Sequence, residues 1–345
     1  MRKVNILGLS PSELRDFLGG LGEPRYRSAQ ILDWLYRKGA DDFAQLTNLP
    51  RGLREKLATV AESGFLAAVE ERVARDGTVK LLLALPDGHG VETVILPYER
   101  GFSVCVSTQV GCRLGCYFCA SGVPGFVRNL SSAEMMAQVL QVKNKLQKSG
   151  ASLKGMVLMG TGEPLDNWDG VITFLQAVRD PERLGMSLRQ VTLSTAGLAP
   201  RIRNLAEQGL SLTLAVSLHA AEDALRDRLA PINKRYPLAV LLSACDEYAE
   251  KTGRRVTFEY LLLKDINDGE EHAKKLARLL RGRLCHVNLI AFNAVEGLSF
   301  LPSGEAAVRR FAEILTRERI SATVRRRLGA EIAAACGQLR NSFLA

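Results

Sequence analysis

Apolar positions recur at three- and four-residue spacing in SPSELRDFLGGL, YRSAQILDWLYRKG and LPRGLREKLATVAESG, each segment opening near Ser or Pro and closing near Gly. That rhythm predicts a small helical module over residues 1–75. From Leu66 to Pro97 the pattern turns strand-like (VKLLLALPDGHGVETVILP), and Asp87-Gly88 is a turn signal, so a β-hairpin is predicted over 76–100. After Gly101 short apolar strands (SVCVSTQ, GMVLMG, QVTLSTAG, SLTLAVSLHA, RVTFEYLLL, HVNLIAF) alternate with amphipathic helices, the pattern of six βα units. Right-handed crossovers would curl them into an α/β partial (β/α)6 barrel over 101–345, with ligands at the C-terminal ends of the strands. Gly162, Glu163, Ser194, Ser217, His219 and Asn293 all fall at that end.

Composition narrows the classes. With 345 residues, 47% hydrophobic and 24% charged, the chain is neither disordered nor collagen-like, and it is too large for a lone zinc finger. No apolar run approaches the roughly 18 residues that span a bilayer, and the N-terminus lacks the apolar stretch of a signal peptide, so no membrane span and a cytoplasmic location are expected. The net charge of +9 makes a polyanion the first candidate partner. Residues 1–75 hold 12 basic and 10 acidic side chains, so most of the excess lies in the barrel. Arg325, Arg326 and Arg327 in TVRRRLG read either as a solvated edge strand or as a phosphate contact.

In a reducing compartment clustered cysteines point to metal or redox chemistry. Four of the seven lie within fifteen residues (Cys105, Cys112, Cys116, Cys119), whereas Cys245 and Cys285 sit in apolar stretches as core residues. Cys112, Cys116 and Cys119 form a C-x3-C-x2-C loop after the first barrel strand. Three thiolates are one short of a structural zinc site and suit a four-iron cubane with one open iron, although zinc completed by a distant ligand is a rival reading.

That loop, with GTGEP at 160–164 after the second strand, resembles the radical S-adenosylmethionine (SAM) superfamily. More narrowly, CVSTQVGCRLGCYFCASG, MGTGEPLDN, LSTAG, AVSLHA, AACGQL and VETVILP resemble the RlmN/Cfr family of RNA methyltransferases along the whole chain. Thr161 replaces an expected methionine and Ser121 an expected threonine. The resemblance implies a radical SAM barrel and a [4Fe–4S] cluster on Cys112, Cys116 and Cys119 with its fourth iron open to SAM. It also implies SAM contacts from Gly162, Glu163, Ser194, Ser217, Leu218, His219 and Asn293. The implied reaction is methylation of C2 at adenine 2503 of 23S rRNA and adenine 37 of tRNAs. Cys336 would be the S-methylated cysteine, Cys105 the thiol that resolves the protein–RNA link through a transient disulfide, and Glu92 the general base. The resemblance further implies a monomer that receives electrons from a donor such as flavodoxin or ferredoxin, and an N-terminal module that docks RNA, with Arg25, Arg27, Arg37 and Lys38 on one face. A Cfr-like C8 methyltransferase, a non-enzymatic iron–sulfur or zinc RNA-binding protein, and a radical enzyme acting on small molecules are the alternatives.

Overall fold

The protein is described by a computed structural model over residues 3–295 and 297–339. At the N-terminus β1 (Val4–Asn5) pairs in parallel with β2 (Ala61–Glu62) and closes a module of α1 (Pro11–Gly20), α2 (Arg27–Asp33) and α3 (Arg51–Val60). A capping box starts α1: Ser10 Oγ accepts from the Glu13 N–H at 3.2 Å, and the Glu13 carboxylate accepts from the Ser10 N–H at 2.7 Å. Leu14, Leu18, Ile31, Leu35, Leu53 and Leu57 are buried at the predicted helical spacing. α2 runs on into a π turn, Trp34–Lys38. Its end rests on α4 (Ser132–Lys148), where Gln147 donates to the Arg37 carbonyl at 3.2 Å and Asn144 to that of Gly39 at 3.1 Å.

The four basic residues expected to share an RNA-facing surface are partly spoken for. Arg25 pairs with Asp16, Arg27 donates to Gln30, and Arg37 and Lys38 both pair with Asp33. Arg37 also donates to the Pro181 carbonyl at 3.0 Å, which ties the module to the barrel.

Next comes an antiparallel meander of β3 (Ala68–Val73), β4 (Val79–Ala84), β5 (Gly90–Tyr98) and β6 (Gly101–Cys105). The predicted hairpin corresponds to β4 and β5, with its turn at Asp87-Gly88. However, the antiparallel segment begins at residue 68, inside the stretch read as helical. All six residues of β3 are exposed, so it has no buried face to create an alternating signal.

The parallel part adds β9 (Leu153–Leu158), β10 (Val191–Thr195), β11 (Thr213–Ser217), β12 (Val256–Leu262) and β13 (Cys285–Ala291) to β6. α5 (Trp168–Arg179), α6 (Ala199–Glu207), α8 (Leu238–Thr252), α9 (Glu270–Leu280) and α10 (Glu305–Arg317) connect these strands together with α4, and a short α7 (Asp223–Leu229) follows β11. A final strand, β14 (Ala322–Val324), pairs with β13 at the edge of the sheet. The ten-stranded order is β14-β13-β12-β11-β10-β9-β6-β5-β4-β3; β14 and β3 do not meet, so the barrel is partial and its concave face stays open. Among the described residues the main apolar core runs from Ile6 to Ile320 and includes Cys245, with two smaller clusters beside it.

Candidate active site

The cysteine loop is held at its neck by a two-stranded ribbon, β7 (Gln109–Gly111) with β8 (Phe126–Asn129). At Gly111, φ is +74° and an added Cβ would lie 1.7 Å from the Gly125 carbonyl oxygen, so only glycine closes this neck. The loop lies against the turn after β9, where the Thr108 and Gln109 N–H groups donate to the Thr161 carbonyl. Gly162 has φ +105°, and a Cβ there would meet the Gln109 backbone nitrogen at 2.8 Å. The Glu163 N–H in turn donates to Gln109 Oε1 at 2.8 Å. The Gly-rich turn and the cysteine loop are therefore built as one unit.

Cys112, Cys116, Cys119, Gly162, Glu163, Ser194, Ser217 and His219 line one cleft at the C-terminal ends of the strands. It encloses about 1040 Å³ of empty space up to its open mouth. Glu163 is buried; its Oε2 accepts from the Ala196 N–H at 2.7 Å and its Oε1 from the Leu165 N–H at 3.0 Å. Burial pushes its carboxyl up to about 7 against those hydrogen bonds. His219 is also buried, in a left-handed conformation (φ 60°). Its Nδ1 accepts from the Leu261 N–H at 3.0 Å, and its ring meets Phe118 edge-on at 4.6 Å. Burial and the charge of Arg226 pull it down to about 3, so the imidazole is neutral.

Two residues implied as SAM contacts stand elsewhere. Leu218 is fully buried outside the cleft lining, its N–H donating to the Glu259 carbonyl and its carbonyl accepting from Arg226 Nε. Asn293 lies under the C-terminal tail, where its Nδ2 donates to the Cys336 carbonyl at 3.2 Å and its Oδ1 accepts from Arg327 at 2.7 Å.

That tail covers the mouth. The Ala120 N–H donates to the Gly337 carbonyl at 2.8 Å and Ser121 Oγ to that of Leu339 at 3.0 Å. A second cavity, of about 640 Å³, opens beneath the tail, walled by Cys105, Leu96, Tyr98, Asn293 and Arg325. Cys336, Arg325, Met159 and Ile290 line both spaces, so the exposed Cys336 stands on the boundary between the cysteine-lined cleft and the Cys105 cavity. Cys105 is buried at the end of β6, and burial with the neighbouring Cys336 pushes its thiol up to about 12, opposed by the charge of Arg325.

Glu92 is not on a solvent face. It is buried on β5, one strand from Cys105, and pairs with Lys80 Nζ at 2.8 Å. The same Nζ donates to the Ala333 carbonyl of the tail at 3.2 Å. Strand alternation places Glu92 with Val94 and Leu96 on the face that packs against the tail residues Leu328, Ala334 and Leu339.

Arg325 also corrects a sequence expectation. β14 is an edge strand as predicted, but the guanidinium of Arg325 turns inward to Glu259, 3.4 Å away, and Arg327 bonds Asn293 and the Phe292 carbonyl. Arg325 is therefore not a solvated arginine, whereas Arg327 is exposed although its guanidinium is hydrogen-bonded. Lys80 and Arg226 are further site residues that the sequence does not signal; both look like ordinary charged residues of a strand and a helix.

The donor set, three cysteines in one cleft, fits a four-iron cluster with one open iron. Among the described residues no three His, Cys, Asp or Glu side chains stand together at single-ion ligand distances. The three thiols nevertheless share one cleft, and burial with mutual repulsion pushes the thiols of Cys112 and Cys116 up. Holding them as thiolates needs positive charge at the site, which a bound four-iron cluster would supply.

Residues 4–62 match the family model for the ribosomal RNA large subunit methyltransferase N-terminal domain, and residues 106–277 that for the radical SAM superfamily. A protein of Symbiobacterium thermophilum, described as "Probable dual-specificity RNA methyltransferase RlmN", is 49% identical over 97% of this chain and 90% of its own length. One of Desulforamulus reducens with the same description is 47% identical over 99% and 97%. Among solved structures, a radical SAM methyltransferase from Sphaerobacter thermophilus superposes with a TM-score of 0.96 at 44% identity, covering 98% of this chain and 99% of the other.

Proposed function

The chain belongs to the RlmN family of radical SAM RNA methyltransferases, and we propose that it methylates C2 of adenine 2503 in 23S rRNA and of adenine 37 in tRNAs through a methyl group carried on Cys336. The observation that carries this reading is the position of Cys336, a thiol on the boundary between the cleft of the three cysteines and the cavity of Cys105.

C2 of adenine is electron-poor, so direct transfer of an electrophilic methyl group is unfavourable and a covalent relay replaces it. The Cys336 thiolate displaces the methyl group of one SAM, forming an S–CH3 bond and breaking the S–CH3 bond of the sulfonium. Cys112, Cys116 and Cys119 would hold the cluster, which, with a second SAM and one electron from an external donor, would supply the radical chemistry that removes a hydrogen atom from the Cys336 methyl group. The Cys336 methylene carbon then joins C2. Once the adduct has lost one electron, for which the group held by Cys112, Cys116 and Cys119, oxidised in the radical step, would be the acceptor, Glu92, held by Lys80, accepts the C2 proton. Cys105 attacks the Cys336 sulfur: an S–S bond forms, the S–CH2 bond breaks, and the carbon takes a proton to become the new methyl group. An external dithiol returns both cysteines to thiols.

Glu163 and the turn at Gly162, with Ser194, Ser217 and His219, bind SAM in the cleft; neutral His219, its Nδ1 accepting from Leu261, has its N–H on Nε2 as a hydrogen-bond donor. Asn293 acts by holding the Cys336 carbonyl, and Leu218 by shaping the strand end that carries Ser217 and His219.

The test is mass spectrometry of nucleosides from 23S rRNA and tRNA after anaerobic incubation with the reconstituted protein, a reductant and methyl-labelled SAM. Labelled 2-methyladenosine from both RNAs is expected. Labelled 8-methyladenosine would overturn the C2 assignment, and the absence of any labelled nucleoside with the cluster bound would overturn the RNA substrate.

A further inference from the structure

Among the described residues Arg226 is the largest fully buried side chain, with 0% exposure. It lies on α7 and makes four hydrogen bonds: Nε to the Leu218 carbonyl at 3.1 Å, Nη2 to the carbonyls of Ala196 (2.7 Å) and Ser217 (3.0 Å), and Nη1 to Asn233 Oδ1 (2.8 Å). Every one of these acceptors is neutral. Among the described residues no carboxylate oxygen comes within the 4.0 Å of an ion pair to it. Asp223 and Asp227 are one residue further out, bound to the amide nitrogen of Asn233 at 2.9 and 2.7 Å.

Burial pulls Arg226 down to about 10, which leaves it charged at neutral pH. A buried charge without a close counter-ion costs several kcal/mol, and here Asp223 and Asp227 reach the guanidinium only through Asn233, so a further negative group beside it would be stabilised. The carbonyls it holds at Ala196 and Ser217 belong to residues that line the same cleft as Cys112, Cys116 and Cys119, so the guanidinium lies one layer beneath that cleft. Helix α7 backs the cysteine loop directly: the Tyr117 N–H donates to the Leu229 carbonyl at 3.1 Å, and Leu229 packs with Phe118 against Cys116 and Cys119.

We infer that Arg226 is the fixed counter-charge of the iron–sulfur cluster, a positioning residue that favours its reduced state while joining the ends of β10 and β11. The inference rests on the reading that Cys112, Cys116 and Cys119 hold the cluster. Reduction would add one negative charge to the group on these thiolates, and a cation fixed beneath the cleft floor stabilises the reduced state more than the oxidised one. The guanidinium is already bound on all sides, so it gives this stabilisation without reorganising.

The experiment is an anaerobic redox titration of the reconstituted full-length chain with dithionite, followed by the electron paramagnetic resonance signal of the reduced cluster, with iron and sulfide content measured beside it. Arg226→Gln removes the charge and is expected to make one-electron reduction at least tenfold less favourable, a shift of about 59 mV to more negative potential. Arg226→Lys keeps the charge and should stay close to wild type. Asp227→Asn, at a half-buried site away from the cleft, removes an opposing negative charge and should shift the potential the other way. Equal potentials in wild type, Arg226→Gln and Asp227→Asn at equal iron content would overturn the counter-charge. If Arg226→Gln cannot be loaded with iron, Asp227→Asn decides alone: an unshifted potential refutes the inference. Failure of the wild-type chain itself to bind iron would refute the cysteine assignment instead.

Discussion

Replacing Lys80 by methionine strips the buried Glu92 of its cation. The pair is 2.8 Å apart, with side-chain exposures of 11% and 6%. At that separation and an effective dielectric of about 20, the Coulomb attraction is about 6 kcal/mol. Desolvation of both ions offsets much of it, so the net effect is read from the consequences of removing one partner, about 3–5 kcal/mol. Lys80→Met also deletes the charge-assisted bond to the Ala333 carbonyl, which places the loss at the upper end of that range. The double variant Lys80→Met with Glu92→Leu removes both charges and fills the space with apolar atoms, so its stability should return to within about 1–2 kcal/mol of wild type. Urea unfolding of the cluster-free chains, followed by tryptophan fluorescence, gives the three free energies. A neutral Lys80→Met, or a double variant as unstable as the single one, would refute a desolvated ion pair at this position. The double variant should also be inactive, because it lacks the proposed base; methylation at the wild-type rate would remove Glu92 from the reaction.

Cys105→Ala should leave the chain covalently joined to RNA, seen as a nuclease-sensitive band on denaturing gels, and free turnover of that variant would end the resolving role. Gly162→Ala forces a left-handed alanine whose Cβ lies 2.6 Å from Gln109 Cβ, so SAM binding measured by equilibrium dialysis should weaken at least tenfold. Glu163 titrates near 7 before SAM binds, and the SAM ammonium favours the ionised carboxylate. Affinity should therefore fall up to tenfold per unit as pH drops below 7, and Glu163→Gln should flatten the profile. His219 has a folded value of about 3 against about 6.5 unfolded, so the unfolded chain takes up a proton first and stability drains between those values as pH falls. His219→Asn should lessen that acid sensitivity in urea melts at stepped pH.

What the sequence exposed is what is local. The C-x3-C-x2-C loop, the GTGEP turn and the strand–helix rhythm each lie within a few residues, and each stands in the structure where the pattern placed it. What stayed hidden depends on distant chain segments. Alternation in VETV assigns Glu92 to one face of β5, but only the tail, more than 230 residues later, decides that this face is covered. TVRRRLG shows three arginines, yet Arg325 turns inward because Glu259 waits two strands away in the sheet. Arg226 sits in DALRDRL, a segment that reads as a solvated helix; its burial comes from the packing of α7 onto the cysteine loop.

Most bonds that secure the tail end on its backbone: the carbonyls of Ala333, Cys336, Gly337 and Leu339 accept from Lys80, Asn293, Ala120 and Ser121. None of these four involves the sulfur of Cys336. The mooring is thus indifferent to cargo: were Cys336 to pass through the proposed thiol, methyl thioether, nucleotide adduct and disulfide, the rope that holds its berth would stay tied throughout.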